Sequence, residues 1–570
     1  MAWGAAFGLA LALAALYGAP DLRVAFSGPY VVQDDARQHA FWTRRFVDPA
    51  LFPHDPIADY FQDVAPAGYA LLYRAAAAAG LDPVVFGKLL PLPLAVVSAG
   101  YAFGLAARVL PSPVAAFTAA LFLSQQLWLT DELPAGSPHS FAVPLLAAFL
   151  YYLARGAKKA SLVCLALQGL VYPHVLLVSC GTLVLGLVRL EGGRPRLSRE
   201  RSDWLLCAAG LATAAASVLP FALSASRYGP TVTAEAARRM PEFFAGGRAP
   251  FFDLHESAVD RWVNDMRSGF LAKFFRAAGP YVYAGRPMLW GGLLLPVLLA
   301  VRRAFPGAAS RTFPLVSRVT PTAGVLLRAG LASLLLFAAA HALLFELHLP
   351  SRYSRFSARV VLAAASAATW TILGDALLRR LPRRGPGRMA ALLAAAAAAT
   401  AFILTPFFQR PGGSYVAGES PALYRYLAAQ PKDALVATLS PEADNLPTFA
   451  RRSVTAGPLF AIPYQLGYYE PFRRRVLDLL RAEYAEDPRV LREYIRASGV
   501  DFILLDRWSF RPRWLLRDSW VRQYRPLVEE LASRMERGER PALEGMAERC
   551  AALETEKLIL VDANCLLEPS

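Results

Sequence analysis

Charged residues are scarce in this chain, at 18% of 570 positions against roughly 25% in an ordinary soluble domain. With 55% apolar residues and a mean hydropathy of +0.34, it has too few polar groups to cover a water-facing globule. A water-soluble enzyme is thereby excluded. Five cysteines, with neither a C-x-x-C pair nor a Cys/His cluster, exclude a disulfide-dense mini-protein and a structural zinc site. Glycine (39) and proline (43) are near average usage, which excludes collagen and low-complexity disorder. There is no G-x-G-x-x-G after a strand, no P-loop and no G-x-S-x-G, so the chain is expected to use no nucleotide cofactor. No internal repeat is visible.

What the chain does have is long apolar runs. A membrane-spanning helix needs roughly 20 mostly apolar residues. Runs of that kind fall at 2–19, 84–107, 112–130, 138–154, 160–172, 174–190, 203–224, 287–301, 322–345, 357–378 and 389–407. They predict a polytopic α-helical membrane protein of about 11 spans. Tyr172-Pro173-His174 separates the fifth from the sixth without a real loop. The first run lacks a charged leader and an A-x-A site, and reads as a retained helix.

The net charge of +16 is compatible with nucleic acid or with basic cytoplasmic loops until the loops are examined. The even-to-odd connections carry eighteen basic residues, from Arg108 through Lys158, Lys159, Arg189 and Arg302 to Arg379, Arg383, Arg384 and Arg388. The short connections on the other side carry Arg352 and Arg355. That asymmetry places the basic loops in the cytoplasm and leaves no need for nucleic acid. It leaves loops 20–83 and 225–286, and everything after about 408, outside. Residues 1–408 are then the transmembrane unit, and 409–570 an exoplasmic α/β domain. Its predicted strands are 433–439, 500–506 and 557–563, in a mostly parallel sheet, with helices over 472–484, 487–498 and 512–535. Cys550 and Cys565 flank the last strand and would pair if that region is exported. In the first loop, Phe41, Phe46 and Leu51 against Arg44, Arg45 and Asp48 suggest short helices lying along the membrane interface.

Candidate chemistry concentrates in Gln33-Asp34-Asp35-Ala36-Arg37-Gln38-His39. Adjacent carboxylates repel, so one becomes a better base. They would also hold a divalent cation, magnesium or manganese, through oxygen ligands. His39 lies one helical turn after Asp35. The plain structural alternative is that Asp34 and Asp35 cap a helix.

This acidic pair after the first span, the many spans and the terminal α/β domain resemble the GT-C superfamily of membrane glycosyltransferases. The stretches 443–454 (ADNLPTFARRSV) and 467–484 (GYYEPFRRRVLDLLRAEY) resemble uncharacterised bacterial proteins grouped with it. The resemblance implies a bacterial plasma-membrane enzyme that moves a sugar from a polyprenyl-phosphate donor to a glycan, lipid or protein acceptor hydroxyl outside. Asp34 or Asp35 would be the base or metal ligand. Arg352, Arg355 and Arg359, spaced i, i+3 and i+7, would hold the lipid phosphate with Tyr353 beside them, and the bland alternative is snorkelling. His174 is a further candidate donor at the outer boundary. Weaker candidates are Asp55, Asp59 and Asp63, spaced by four; Asp131 and Glu132 in a short outer loop; Arg248 in the aromatic stretch 238–252; and His341 and Glu346 at a span end. Asp444, Asn445, Arg451 and Arg452 read as surface polar residues. A lipid-linked-sugar flippase and a non-catalytic scaffold are the competing expectations.

Overall fold

The computed structural model describes residues 2–191, 194–252, 257–272, 274, 285–381, 385–408 and 414–568. Arg383 and Arg384, and parts of loop 225–286, lie outside the described residues.

All eleven predicted apolar runs are helical. Seven helical segments are long and apolar enough to cross a membrane: Ala2–Ala25, Pro83–Val109, Arg201–Leu219, Gly285–Ala304, Pro321–Ala342, Pro350–Arg380 and Pro386–Phe408. The other four predicted runs form shorter helices, Pro113–Trp128, Ala142–Arg155, Lys158–Val171 and Pro173–Gly186. Sixteen residues rise about 24 Å. Such helices suffice where the remaining backbone at membrane depth is buried in protein and not in lipid. Proline opens several of them at a position whose N–H has no helical partner to lose, as at Pro91, Pro113 and Pro173. Gly156, left-handed at φ +74°, closes Ala142–Arg155.

Arg355–Arg380 runs through the middle of the bundle and packs on Gly285–Ala304, Pro113–Trp128 and Pro91–Val109. Without water to drive association, small residues bring membrane helices close. Gly291 illustrates this, since a Cβ there would meet Trp370 Nε1 at 2.5 Å and Ser366 Cβ at 2.8 Å. At one end of the bundle, the hydroxyls of Thr320 and Thr322 donate to the Arg108 carbonyl and join two of the basic connections.

At the other end sits the C-terminal α/β domain. Its five-stranded sheet has the order Ser453–Val454, Leu435–Thr438, Phe502–Asp506, Leu558–Asp562, Ala551–Glu554. The first three strands are parallel and the last two antiparallel, so the sheet is mixed and not mostly parallel as expected. A tight turn causes this. Thr555 bonds Leu558 through both backbone and side chain, which folds Ala551–Glu554 back on Leu558–Asp562. Cys550 and Cys565 form a disulfide, Cα–Cα 5.5 Å, that ties the hairpin to the last helix. The helix expected over 512–535 is instead three pieces, Trp514–Asp518, Trp520–Gln523 and Leu527–Glu536. Ser519 caps the second by accepting from Val521 N, and Pro526 precedes the third.

The first long loop departs most from expectation. Instead of resting on an interface, it is the floor of the C-terminal domain. Val31–Gln33 pairs antiparallel with Tyr415–Ala417, and Asp34 N donates to Ser414 O at 2.8 Å. Phe41 and Phe52 are fully buried, and Phe41 packs on Phe460 of the domain. Tyr60 stacks on Tyr468 at 3.7 Å. The amphipathic pattern was therefore a packing pattern. The second long loop is clamped likewise, with Tyr469 Oη donating to Glu242 at 2.7 Å and Arg248 N donating to Gln523 at 2.9 Å.

The short loop 131–141 is seated by one glycine. Gly136 has φ +59°, a Cβ there would lie 2.4 Å from the Gly87 carbonyl oxygen, and Tyr73 Oη donates to its carbonyl. Gly136→Ala is expected to lower stability by about 2 kcal/mol or more, since the backbone must move and the φ is disfavoured. Thermal unfolding of the purified variant measures this, and an unchanged transition would contradict the seating.

Candidate functional site

Four groups of residues meet where the bundle joins the C-terminal domain. The first is the short helix Asp34–His39. Its N-cap is Gln33, whose Oε1 accepts from Ala36 N at 3.2 Å, so the cap is not supplied by either aspartate. Asp34 is ion-paired to Arg37, which also donates to Asn445 Oδ1 at 2.8 Å. Asp35 lies within electrostatic range of Arg248 and Arg352. Gln33 Nε2 reaches the Asp131 carbonyl at 3.5 Å and brings the two acidic pairs, 34–35 and 131–132, side by side.

The second segment is the turn 350–353 leading into Arg355–Arg380. The expected arginine face is split between two jobs, because Arg352 lies in the preceding turn and not in the helix itself. Arg359 is fully buried and bonds Glu132 at 3.0 Å, with Arg355 at 3.8 Å from the same carboxylate. A buried cation needs a close anion to offset its lost hydration, and Glu132 supplies it. Arg355 also lies over the Phe356 ring at 4.6 Å. Arg352, partly buried, points instead to His139 Nε2 at 2.7 Å and Tyr172 Oη at 3.3 Å. Tyr353 Oη donates to the Leu347 carbonyl, so it serves the turn.

The third feature is a file of rings: His39 to His139 (5.7 Å), His139 to Tyr172 (5.1 Å), Tyr172 to His174 (5.0 Å), His174 to His348 (5.4 Å) and His348 to Tyr464 (5.0 Å). Four of the chain's seven histidines are gathered here. Burial, and then the charges of Arg352 and Arg248, push the His39 imidazole down to about 4. His348 is also held well below the usual histidine range, by burial first and then by His174 and Arg352. Both rings are therefore neutral at pH 7 and add no charge to a site already rich in arginine.

The fourth segment comes from the C-terminal domain. Asp444 and Asn445 were expected at the surface and are buried, as is Arg452. Leu459 N donates to Asp444 Oδ1 at 2.9 Å. Burial raises the Asp444 carboxyl to about 7, against the opposing pull of Arg37 and Arg248. Arg248 donates to the Leu459 carbonyl at 3.3 Å, and its carbonyl accepts from Arg267 Nη2 at 3.1 Å.

The remaining candidates lie elsewhere or serve the scaffold. Asp55 is buried and caps Pro56–Asp63, accepting from Ile57 N and Ala58 N. Asp59 pairs with Arg45 at 2.7 Å, and Asp63 with Arg227 at 3.1 Å and Tyr228 Oη at 2.9 Å. His341 stacks on Trp262 at 4.6 Å, and Glu346 is exposed. A divalent cation held by Asp34 and Asp35, as expected, would have to displace the Arg37 guanidinium from Asp34. Among the described residues no three His, Cys, Asp or Glu side chains form a ligand set.

No family model matches the sequence, and no curated protein matches it. Solved structures do match. An archaeal oligosaccharyltransferase, AglB from Archaeoglobus fulgidus, in complex with an inhibitory peptide and a dolichol-phosphate, aligns over 92% of this chain and 72% of its own. The TM-score is 0.51 and the identity 13%. The chain has the GT-C fold. ArnT from Cupriavidus metallidurans, bound to undecaprenyl phosphate, covers 100% of this chain and 99% of its own, at a TM-score of 0.47 and 13% identity. The protein is a multi-pass membrane protein of that architecture.

Glu132→Ala would leave Arg359 buried without its anion and is expected to destabilise by about 3–5 kcal/mol. Glu132→Leu combined with Arg359→Met is expected to recover most of that loss. A double-mutant cycle on thermal unfolding reads the difference, and strictly additive losses would contradict a structural ion pair.

Proposed function

We propose that the protein is a membrane glycosyltransferase, taking a sugar from a polyprenyl-phosphate donor and joining it to an acceptor hydroxyl outside the cytoplasm. The observation that carries this is that Arg352, Arg248 and the helix bearing Asp35 converge at the junction of bundle and domain: Gln38 and Arg248 both donate to the Leu459 carbonyl, and the His39 ring stands 5.7 Å from that of His139, which Arg352 meets. Transfer needs both carboxylate and cations. The fold and the presence of dolichol-phosphate in the archaeal oligosaccharyltransferase structure support the assignment of donor class. A donor that enters sideways from the bilayer would meet Arg352 at the end of a membrane helix. The basic connections at the opposite end support an external location for the site, and the Cys550–Cys565 disulfide agrees with an oxidising compartment.

In this reading the acceptor oxygen attacks the anomeric carbon while Asp35 takes its proton. The bond from that carbon to the phosphate oxygen breaks in the same displacement, inverting the configuration. The electron pair leaves with the polyprenyl phosphate, whose charge is held by Arg352 and Arg248. Neutral His39 and His139 donate or accept hydrogen bonds without competing for the phosphate. Arg37 fixes Asp34 and the helix that aims Asp35.

Asp35→Asn is expected to reduce transfer by about 10³-fold or more, and Asp34→Asn by far less, since Asp34 positions and does not take the proton. Arg352→Lys is expected to cost about 10-fold or more, because an ammonium lacks the forked geometry that matches phosphate oxygens. The assay is release of polyprenyl phosphate from lipid-linked sugars extracted from the native membrane. Full activity in a folded Asp35→Asn variant would overturn the reading.

A further inference from the structure

A second group of cations lies apart from that site, where the first long loop meets the far side of residues 446–452. There a cleft of about 480 Å³ is lined by Arg44, Lys432, Arg451 and Arg452, with Asp48 as the one lining carboxylate. Arg452 is 4% exposed, and its hydrogen bonds go to backbone carbonyls of Ala428, Gln430, Ala450 and Arg451. Carbonyls orient a guanidinium but do not neutralise it, and among the described residues Arg452 Nε has no partner. Arg44 Nε has none either, and its nearest carboxylate, Asp82, stands 3.7 Å away. Thr448 lines the same cleft, is 1% exposed, and its hydroxyl is also without a partner. At the mouth, Lys432 is held by Asp48 at 2.6 Å.

These groups come from three chain segments and offer donors from several directions. A planar carboxylate presents acceptors along one edge, whereas a tetrahedral oxyanion presents them all round. Arg451, at φ +58°, holds a conformation that non-glycine residues adopt only where the surroundings demand it. Tyr30 and Phe449, 5.7 Å apart between ring centres, add apolar wall beside the cations. A bare inorganic ion would not need it.

We propose that this cleft binds a phosphate group attached to a carrier, either a soluble phosphorylated sugar or a phospholipid headgroup. The phosphate takes Lys432 from Asp48 and meets Arg44, Arg451 and Thr448, while the carrier lies against Tyr30 and Phe449. The site is separate from Asp35 and Arg352 and stands independently of glycosyl transfer.

The test uses the full chain and two probes. Glucose 1-phosphate is titrated by calorimetry into protein in phosphatidylcholine nanodiscs, and retention of dioleoylphosphatidylglycerol is scored by native mass spectrometry from detergent. Lys432 and Arg451 are exposed, so Lys432→Ala combined with Arg451→Ala is expected to fold and to weaken the bound probe at least tenfold. Asp48→Asn removes the competing anion and is expected to tighten it severalfold. Asp35→Asn is expected to bind as the wild type does, which separates this cleft from the proposed active site. Binding of the sugar phosphate identifies a soluble ligand, and variant-sensitive retention of the lipid identifies a headgroup. Failure of both probes, or binding indifferent to the Lys432 and Arg451 changes, would overturn the proposal.

Discussion

The arrangement depends on how desolvated positive charge is compensated. Arg355 and Arg359 enter a membrane helix almost without exposure and share one carboxylate, Glu132. Removing such a cation from water costs several kcal/mol unless an anion stands close. Loop 131–141 must therefore sit against the helix start, while Gly136 lets the same loop close on the Gly87 backbone. Once Glu132 is committed to two arginines, Arg352 and Arg248 depend on Asp35 and Asp444 for nearby negative charge. The surrounding histidines stay neutral and do not add to the repulsion. A site so biased toward cations suits the anionic carrier of the proposed reaction.

Its precision comes from how few degrees of freedom the acidic helix retains. The strand pairing of Val31–Gln33 with Tyr415–Ala417 joins the end of the first loop to the start of the C-terminal domain. Arg37 then bridges Asp34 to Asn445, and Gln33 touches the Asp131 carbonyl. The domain is thus part of the site and not an appendage to it. Asp444 and Asn445 sit where a surface loop was expected because they close the helix Asp34–His39 from above.

Much of this was legible in the sequence. Apolar run length located the long helices of the bundle, because lipid offers no partner to an unpaired backbone group. The two arginines that break the loop-charge asymmetry, Arg352 and Arg355, lie beside His139, Tyr172 and Glu132. Their division of labour did not show, since the i, i+3, i+7 spacing assumes a helix that begins only at Arg355. The first loop is amphipathic in sequence, but its apolar side packs on Phe460 and Tyr468, a partner that only the tertiary fold supplies. His139 and His348 went unnoticed. Their signal was rarity: seven histidines in 570 residues, with His348 four residues before Arg352. Tyr464 and Arg267 had no sequence signal, because only tertiary contact brings them to the ring file and to Arg248.

The central claim is that the cations at the bundle–domain junction hold the phosphate of a polyprenyl carrier. A structure of the purified chain with undecaprenyl phosphate, solved by electron cryomicroscopy, tests it directly. The account predicts phosphate density within hydrogen-bond distance of Arg352 and on the same side as Asp35. Phosphate bound elsewhere, with Arg352 still turned to His139 and Tyr172, would contradict it.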